Sequence, residues 1–168
     1  MRRWRGLVPA LLLVLAACTT ASASTAAHPE STPFDPAVSG ALYAQEIDRT
    51  LAELEPGRKA LVVFGANWCH DSRALAGWLS APEFEPLLRS EFETVFVDIG
   101  KPQTGEGRNL DLASRFGIDT VGNTPVLAVV SSDGKLLNTV ADAKSWRNAG
   151  SRSEEEIAAA LRAYAALD

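Results

Sequence analysis

Cys69 and Ser72 stand three residues apart in "ANWCHDSRALAGWL" (66–79), a spacing that on a helix brings both side chains to one face. A thiolate is the nucleophile of thiol–disulfide exchange: it attacks a disulfide sulfur, forms a mixed disulfide and releases the other thiol. A cysteine at position 72 would resolve that intermediate from within the chain. Serine cannot, because an alkoxide is not readily formed and makes no S–S bond. Resolution then falls to an outside thiol, either a small molecule or another cysteine of the client. That chemistry suits a monothiol exchange catalyst, an isomerase-like activity, or reduction of sulfenic acids and glutathione adducts. Trp68, His70 and Asp71 flank the thiol and are candidate substrate contacts.

The thiol must be positioned by a strand and a helix. "KALVVFGA" (59–66) is a short apolar, β-branched run, the pattern of a strand buried on both faces. Cys69, Ser72, Leu75, Ala76 and Leu79 then share a helical face, which places Cys69 at a helix N-terminus. Unpaired backbone N–H groups and the helix dipole favour a thiolate there. A protonated His70 would add to that effect and Asp71 would oppose it.

The other elements follow from periodicity. Tyr43, Ile47, Leu51 and Leu54 predict a first helix stopped by Pro56-Gly57, and "ETVFVDI" (93–99) a second strand after a short helical stretch at 82–89. "GKPQTGEGR" (100–108) reads as a flexible loop whose Lys101 and Arg108 are solvated or approach the thiol, and "NLDLASRF" (109–116) as a helix ended by Gly117. "TPVLAVV" (124–130), a turn at Asp133-Gly134 and "LLNTV" (136–140) predict a β-hairpin. Ser153 and Glu156 form the pattern of a capping box before a last helix that buries Ile157, Leu161 and Tyr164. Trp78 and Trp146 read as packing residues or site rim.

A chain of 168 residues accommodates one domain and a tail. Its formal charge of −5 and the lack of a Lys/Arg-rich run after Arg5 argue against nucleic acid as a partner. Arg2, Arg3 and Arg5 precede an apolar run, Leu7 to Ala17, in the manner of a signal peptide, and Arg2-Arg3 raises twin-arginine export. "LAAC" (15–18) resembles the bacterial lipobox, which implies acylation of Cys18 and a lipid anchor. The alternative is cleavage after Ala21-Ser22-Ala23. The expected organisation is a signal peptide at 1–17, a tether at 18–39 and a domain at 40–168. His28 falls in the tether and reads as a solvated linker residue. The expected location is the cell envelope, facing the periplasm. Thr19 is not the aspartate type of retention residue, so the outer membrane is the expected one. With Cys18 lipidated or removed, Cys69 is the one thiol of the exported domain.

The order of elements, "FGANWC", "ASRFGI", "NTP" and "SSDGK" together resemble the thioredoxin superfamily over residues 40 to 168. The resemblance implies an α/β thioredoxin fold, a mixed central sheet of about four strands flanked by helices. It implies that Cys69 is the attacking cysteine, that Pro125 is the cis-proline beside it, and that Thr124 offers its backbone to a substrate strand. Two departures stand out: Ser72 replaces the second cysteine, and Val63 stands where thioredoxins commonly bury an aspartate. Protein or small-molecule thiols and disulfides are the implied partners, with no cofactor. Two other classes remain open: a redox-inert thioredoxin-like binding or chaperone module, and copper handling. For the second, Cys69, His70 and Asp71 make a thin ligand set, and no metal site is expected.

Overall fold

The computed structural model describes residues 28–168; the expected signal peptide, Cys18 and the first part of the tether lie outside the described residues. Ser39 caps α1 (Gly40–Glu53) by accepting from the Leu42 amide, and the helix turns Tyr43 and Ile47 inward. β1 (Lys59–Gly65) is buried along its whole length. Cys69 is the N-cap residue of α2 (His70–Trp78), and α3 (Glu85–Glu91) leads into β2 (Phe92–Asp98). Short strands β3 (Gly100–Lys101) and β4 (Glu106–Gly107) pair across a 3₁₀ turn, so the expected loop is a small hairpin. α4 (Leu110–Ser114), β5 (Val126–Val130), α5 (Val140–Ser145) and α6 (Glu154–Ala165) complete the chain.

β1 is central, parallel to β2 and antiparallel to β5, giving the mixed sheet expected. Side chains alternate across its two faces. Leu61 and Val63 join Leu75, Leu127, Trp146 and Leu161 in one core, while Ala60, Val62 and Phe64 join Ile47, Val97, Phe116 and Ala128 in the other. Both faces are covered, which is why the strand reads as an unbroken apolar run.

The fourth strand position is reduced to one bridge, Val130 with Leu136, plus the Leu137 amide donating to Val129 O. Asn138 then takes over: its Oδ1 accepts from Val129 N at 2.9 Å and its Nδ2 donates to Leu127 O at 3.0 Å. This side chain satisfies the edge of β5, and the backbone is free to turn at Thr139, which caps α5. At the other end the capping box of Ser153 and Glu156 forms as its spacing predicts.

Trp146 is fully buried and donates to Tyr164 Oη at 2.8 Å, and Tyr164 Oη donates to Asp142 at 2.5 Å. Burial, and next the hydrogen bond to Asp142, hold the Tyr164 proton, so its pKa lies above the ordinary value of about 10. The unfolded chain releases this proton near pH 10 while the native state keeps it. The contribution of Tyr164 to stability is therefore intact below about pH 10 and falls above it, by about 1.4 kcal/mol per pH unit for one proton. Urea titrations of wild type and Tyr164→Phe at pH 8 and at alkaline pH check this: the variant loses that slope. The slope that remains includes Tyr43, whose pKa burial also raises.

The segment expected to be a tether is docked from His28 onward. Phe34 is fully buried, its amide donates to Asn67 Oδ1 at 3.1 Å, and Asn67 Nδ2 returns a bond to Phe34 O at 2.7 Å. Ser31 N donates to Arg73 O at 3.0 Å. Pro29 crosses so close to α2 that a Cβ on Gly77 would lie 2.3 Å from its carbonyl oxygen. A Ser/Thr/Ala/Pro composition suggests a linker, but one phenylalanine and a glycine gap in the facing helix suffice to seat this strap.

Candidate active site

β1 ends at Gly65, and Asn67 and Trp68 turn the chain so that Cys69 caps α2 in an extended conformation. Cys69 O accepts from Arg73 N at 3.1 Å, the first bond of the helix. The thiol therefore lies at the end of α2 where backbone N–H groups lack helical partners. It is 9% exposed, and its Sγ donates to Thr124 O at 3.5 Å. Thr124-Pro125 is a cis bond just before β5, and the Thr124 carbonyl lies against the thiol. The fold thus brings Cys69, Thr124 and Pro125 together.

Ser72 sits behind the thiol and makes no hydrogen bond to it. Its side chain is fully buried and Oγ has no partner among the described residues. A Cβ on Gly65 would meet the Phe34 ring at 2.6 Å and Ser72 Oγ at 2.9 Å, so the hydroxyl faces the strap side of α2. Thr124 Oγ1 is likewise buried without a partner among the described residues. Val63 lies fully buried in the apolar core on the α2 side of the sheet, with no carboxylate in its place.

The flanking candidates divide. Trp68 is 46% exposed and anchored at its edge, with Nε1 donating to Gly100 O at 2.9 Å, so it forms a rim beside the thiol. Asp71 turns to the 3₁₀ turn at Trp146–Ser151, where Oδ1 accepts from Gly150 N at 2.9 Å. His70 turns to the strap: Nδ1 lies 3.1 Å from Glu30 Oε1 and Nε2 3.1 Å from His28 Nε2. Both are held by the protein itself. Lys101 lies 3.9 Å from Glu106, and Arg108 pairs with the buried Asp98 at 2.8 Å and donates to Pro36 O, so neither is directed to the thiol.

Arg73 and Asn67 escaped the sequence reading. Arg73 donates to Asn67 O at 3.1 Å and to Glu30 at 2.9 Å, tying the turn before Cys69 to the strap. Its hydrogen bond holds the Glu30 carboxyl below the usual carboxylate range. The one sequence cue was that both lie within four residues of Cys69.

A family model described as thioredoxin-like matches residues 43–132. A solved crystal structure of a disulphide isomerase from Xylella fastidiosa Temecula1 is 30% identical and covers 79% of this chain and 96% of that one, with a TM-score of 0.67. A search of curated proteins finds no match. The mixed sheet flanked by helices agrees with both likenesses, and the chain belongs to the thioredoxin-like family.

Proposed function

We propose that the protein is a monothiol thiol–disulfide exchange catalyst acting through Cys69. The observation that carries this reading is the thiol at the α2 N-terminus, 3.5 Å from Thr124 O at the cis bond, with serine at the second position of the motif. In the first step the Cys69 thiolate attacks a client disulfide, an S–S bond forms to one client sulfur, and the other leaves as a thiolate. In the second step an external thiolate, or another cysteine of the client, attacks the mixed disulfide and regenerates Cys69. No net oxidation occurs when the resolving thiol belongs to the client, which is isomerisation. Trp68 and the Thr124 loop border the thiol and would contact the client.

We also propose a lipid anchor on Cys18 and a periplasm-facing place in the cell envelope, on the sequence pattern of residues 1–18. Among the described residues no helix is long and apolar enough to cross a membrane. Lipoprotein anchoring commonly takes more than one chain. Intact-mass spectrometry of the protein isolated from its cells reads both proposals. A lipid mass on a chain that begins at Cys18 is expected, and a terminus at Ser24 would refute the anchor. Incubation with oxidised glutathione is expected to add one glutathione to wild type and none to Cys69→Ser. Equal adducts on the two chains would refute the exchange role.

One observation favours a second reading, an inert binding module: the thiol is nearly enclosed and donates its proton to Thr124 O. Under that reading neither chain forms an adduct while the protein remains folded.

A further inference from the structure

His28 and His70 are 42 residues apart in sequence, yet their Nε2 atoms lie 3.1 Å apart, the rings edge to face with centroids 4.7 Å apart. The other nitrogen of each ring faces an oxygen that can only accept. His70 Nδ1 is 3.1 Å from the Glu30 carboxylate, and His28 Nδ1 is 3.3 Å from Pro29 O. A neutral imidazole carries one N–H, and in both rings these contacts place it on Nδ1. With the proton of each ring on Nδ1, the two Nε2 lone pairs converge, an arrangement that either a shared proton or a bound cation relieves.

We propose that His28 Nε2 and His70 Nε2 bind a divalent transition-metal cation of the imidazole-preferring class, such as Zn²⁺. Two nitrogens 3.1 Å apart, each bonded to one ion at about 2.0–2.1 Å, subtend about 100° at it, close to the tetrahedral angle. Glu30 supplies the outer support. Its Oε1 accepts from His70 Nδ1, fixing the tautomer, while Arg73 holds Oε2 at 2.9 Å. Carboxylates placed behind a ligating histidine in this way commonly orient the ring and raise its basicity. Space is kept open by Gly150, where a Cβ would lie 2.6 Å from His70 Nε2. The ligand atoms of His28, Glu30 and His70 all fall within 4.8 Å of one another. Water would complete the coordination, since His70 is exposed and His28 half-buried. A bound ion would pin the strap to the first residue of α2, next to Cys69 in sequence. The site does not depend on the exchange chemistry.

The test is calorimetric titration of Zn²⁺ into untagged, chelator-stripped full-length chain carrying Cys18→Ser and Cys69→Ser, which removes both thiols as competing ligands. Zinc is the probe because it does not oxidise protein groups. One equivalent is expected to bind and to raise the thermal midpoint. His28→Ala and His70→Ala are each expected to weaken binding at least about tenfold, and Glu30→Gln by about 10–100-fold. Gly150→Ala, which keeps both imidazoles, is expected to weaken it as well. ¹⁵N spectra of the imidazoles should show both Nε2 resonances moving on zinc addition. No zinc uptake would mean that the two rings merely share a proton, and the proposal falls. Equal affinity in wild type and His28→Ala would place the ion elsewhere and overturn it too.

Discussion

Ser72→Cys is expected to shorten the lifetime of a Cys69 mixed disulfide by at least about tenfold in the presence of about 0.1 mM external thiol. A thiol tethered in the same chain acts at an effective concentration of about 1 mM or more, and the ratio of the two concentrations sets the minimum gain. The introduced thiolate attacks the Cys69 sulfur, the client leaves reduced, and an internal disulfide between Cys69 and the new cysteine remains. The measurement is the decay of a glutathione adduct, followed by intact mass, in chains carrying Cys18→Ser. Ser72→Ala is the control. It is expected to keep the wild-type lifetime, because Ser72 Oγ has no hydrogen-bond partner among the described residues. Removing that unpartnered buried hydroxyl is expected to stabilise the fold by about 1 kcal/mol. If Ser72→Ala changed the lifetime as much as Ser72→Cys, the hydroxyl itself would be acting on the thiol, against its observed place on the strap side of α2.

The unit that carries Cys69 was legible because it is local. A buried parallel strand must be apolar throughout, and the helix after it must show an i, i+3, i+4 face, so "KALVVFGANWC" and Leu75, Ala76 and Leu79 reveal both. Thr124-Pro125 could be placed only through the family likeness, because nothing in those two residues alone brings them to a thiol 55 residues away. The end of the hairpin departs from its expected course for a different reason. Leu136 and Leu137 do bond to β5, but Asn138 replaces the next ladder bonds with its amide, a substitution that alternation of apolar residues cannot register. α5 and the Trp146 turn follow from that early exit, and Trp146 is a core residue. Composition misleads at residues 28–39. Polarity is an average, while docking depends on single residues, and here Phe34, Glu30 and His28 each find a specific receiver in Asn67, Arg73 and His70.

Phe34→Ala is expected to cost about 3–5 kcal/mol of folding stability, a large share of the roughly 5–15 kcal/mol typical of a domain. The ring is fully buried, packs edge to face on Phe96 with centroids 5.5 Å apart, and lies against Gly65 at the end of β1. Truncation leaves a cavity that neighbouring groups cannot readily fill, because β1 and α2 are fixed by the sheet and by the strap bonds at Asn67 and Arg73. Phe34→Leu refills most of the volume and is expected to cost well under half as much. Urea denaturation of the three chains reads the difference as a shift in midpoint at nearly constant slope. A cost below about 1 kcal/mol for Phe34→Ala would mean that the ring is seated on the domain without being part of its core. The strap would then peel away independently, and residues 28–39 would behave in solution as the linker their composition suggests.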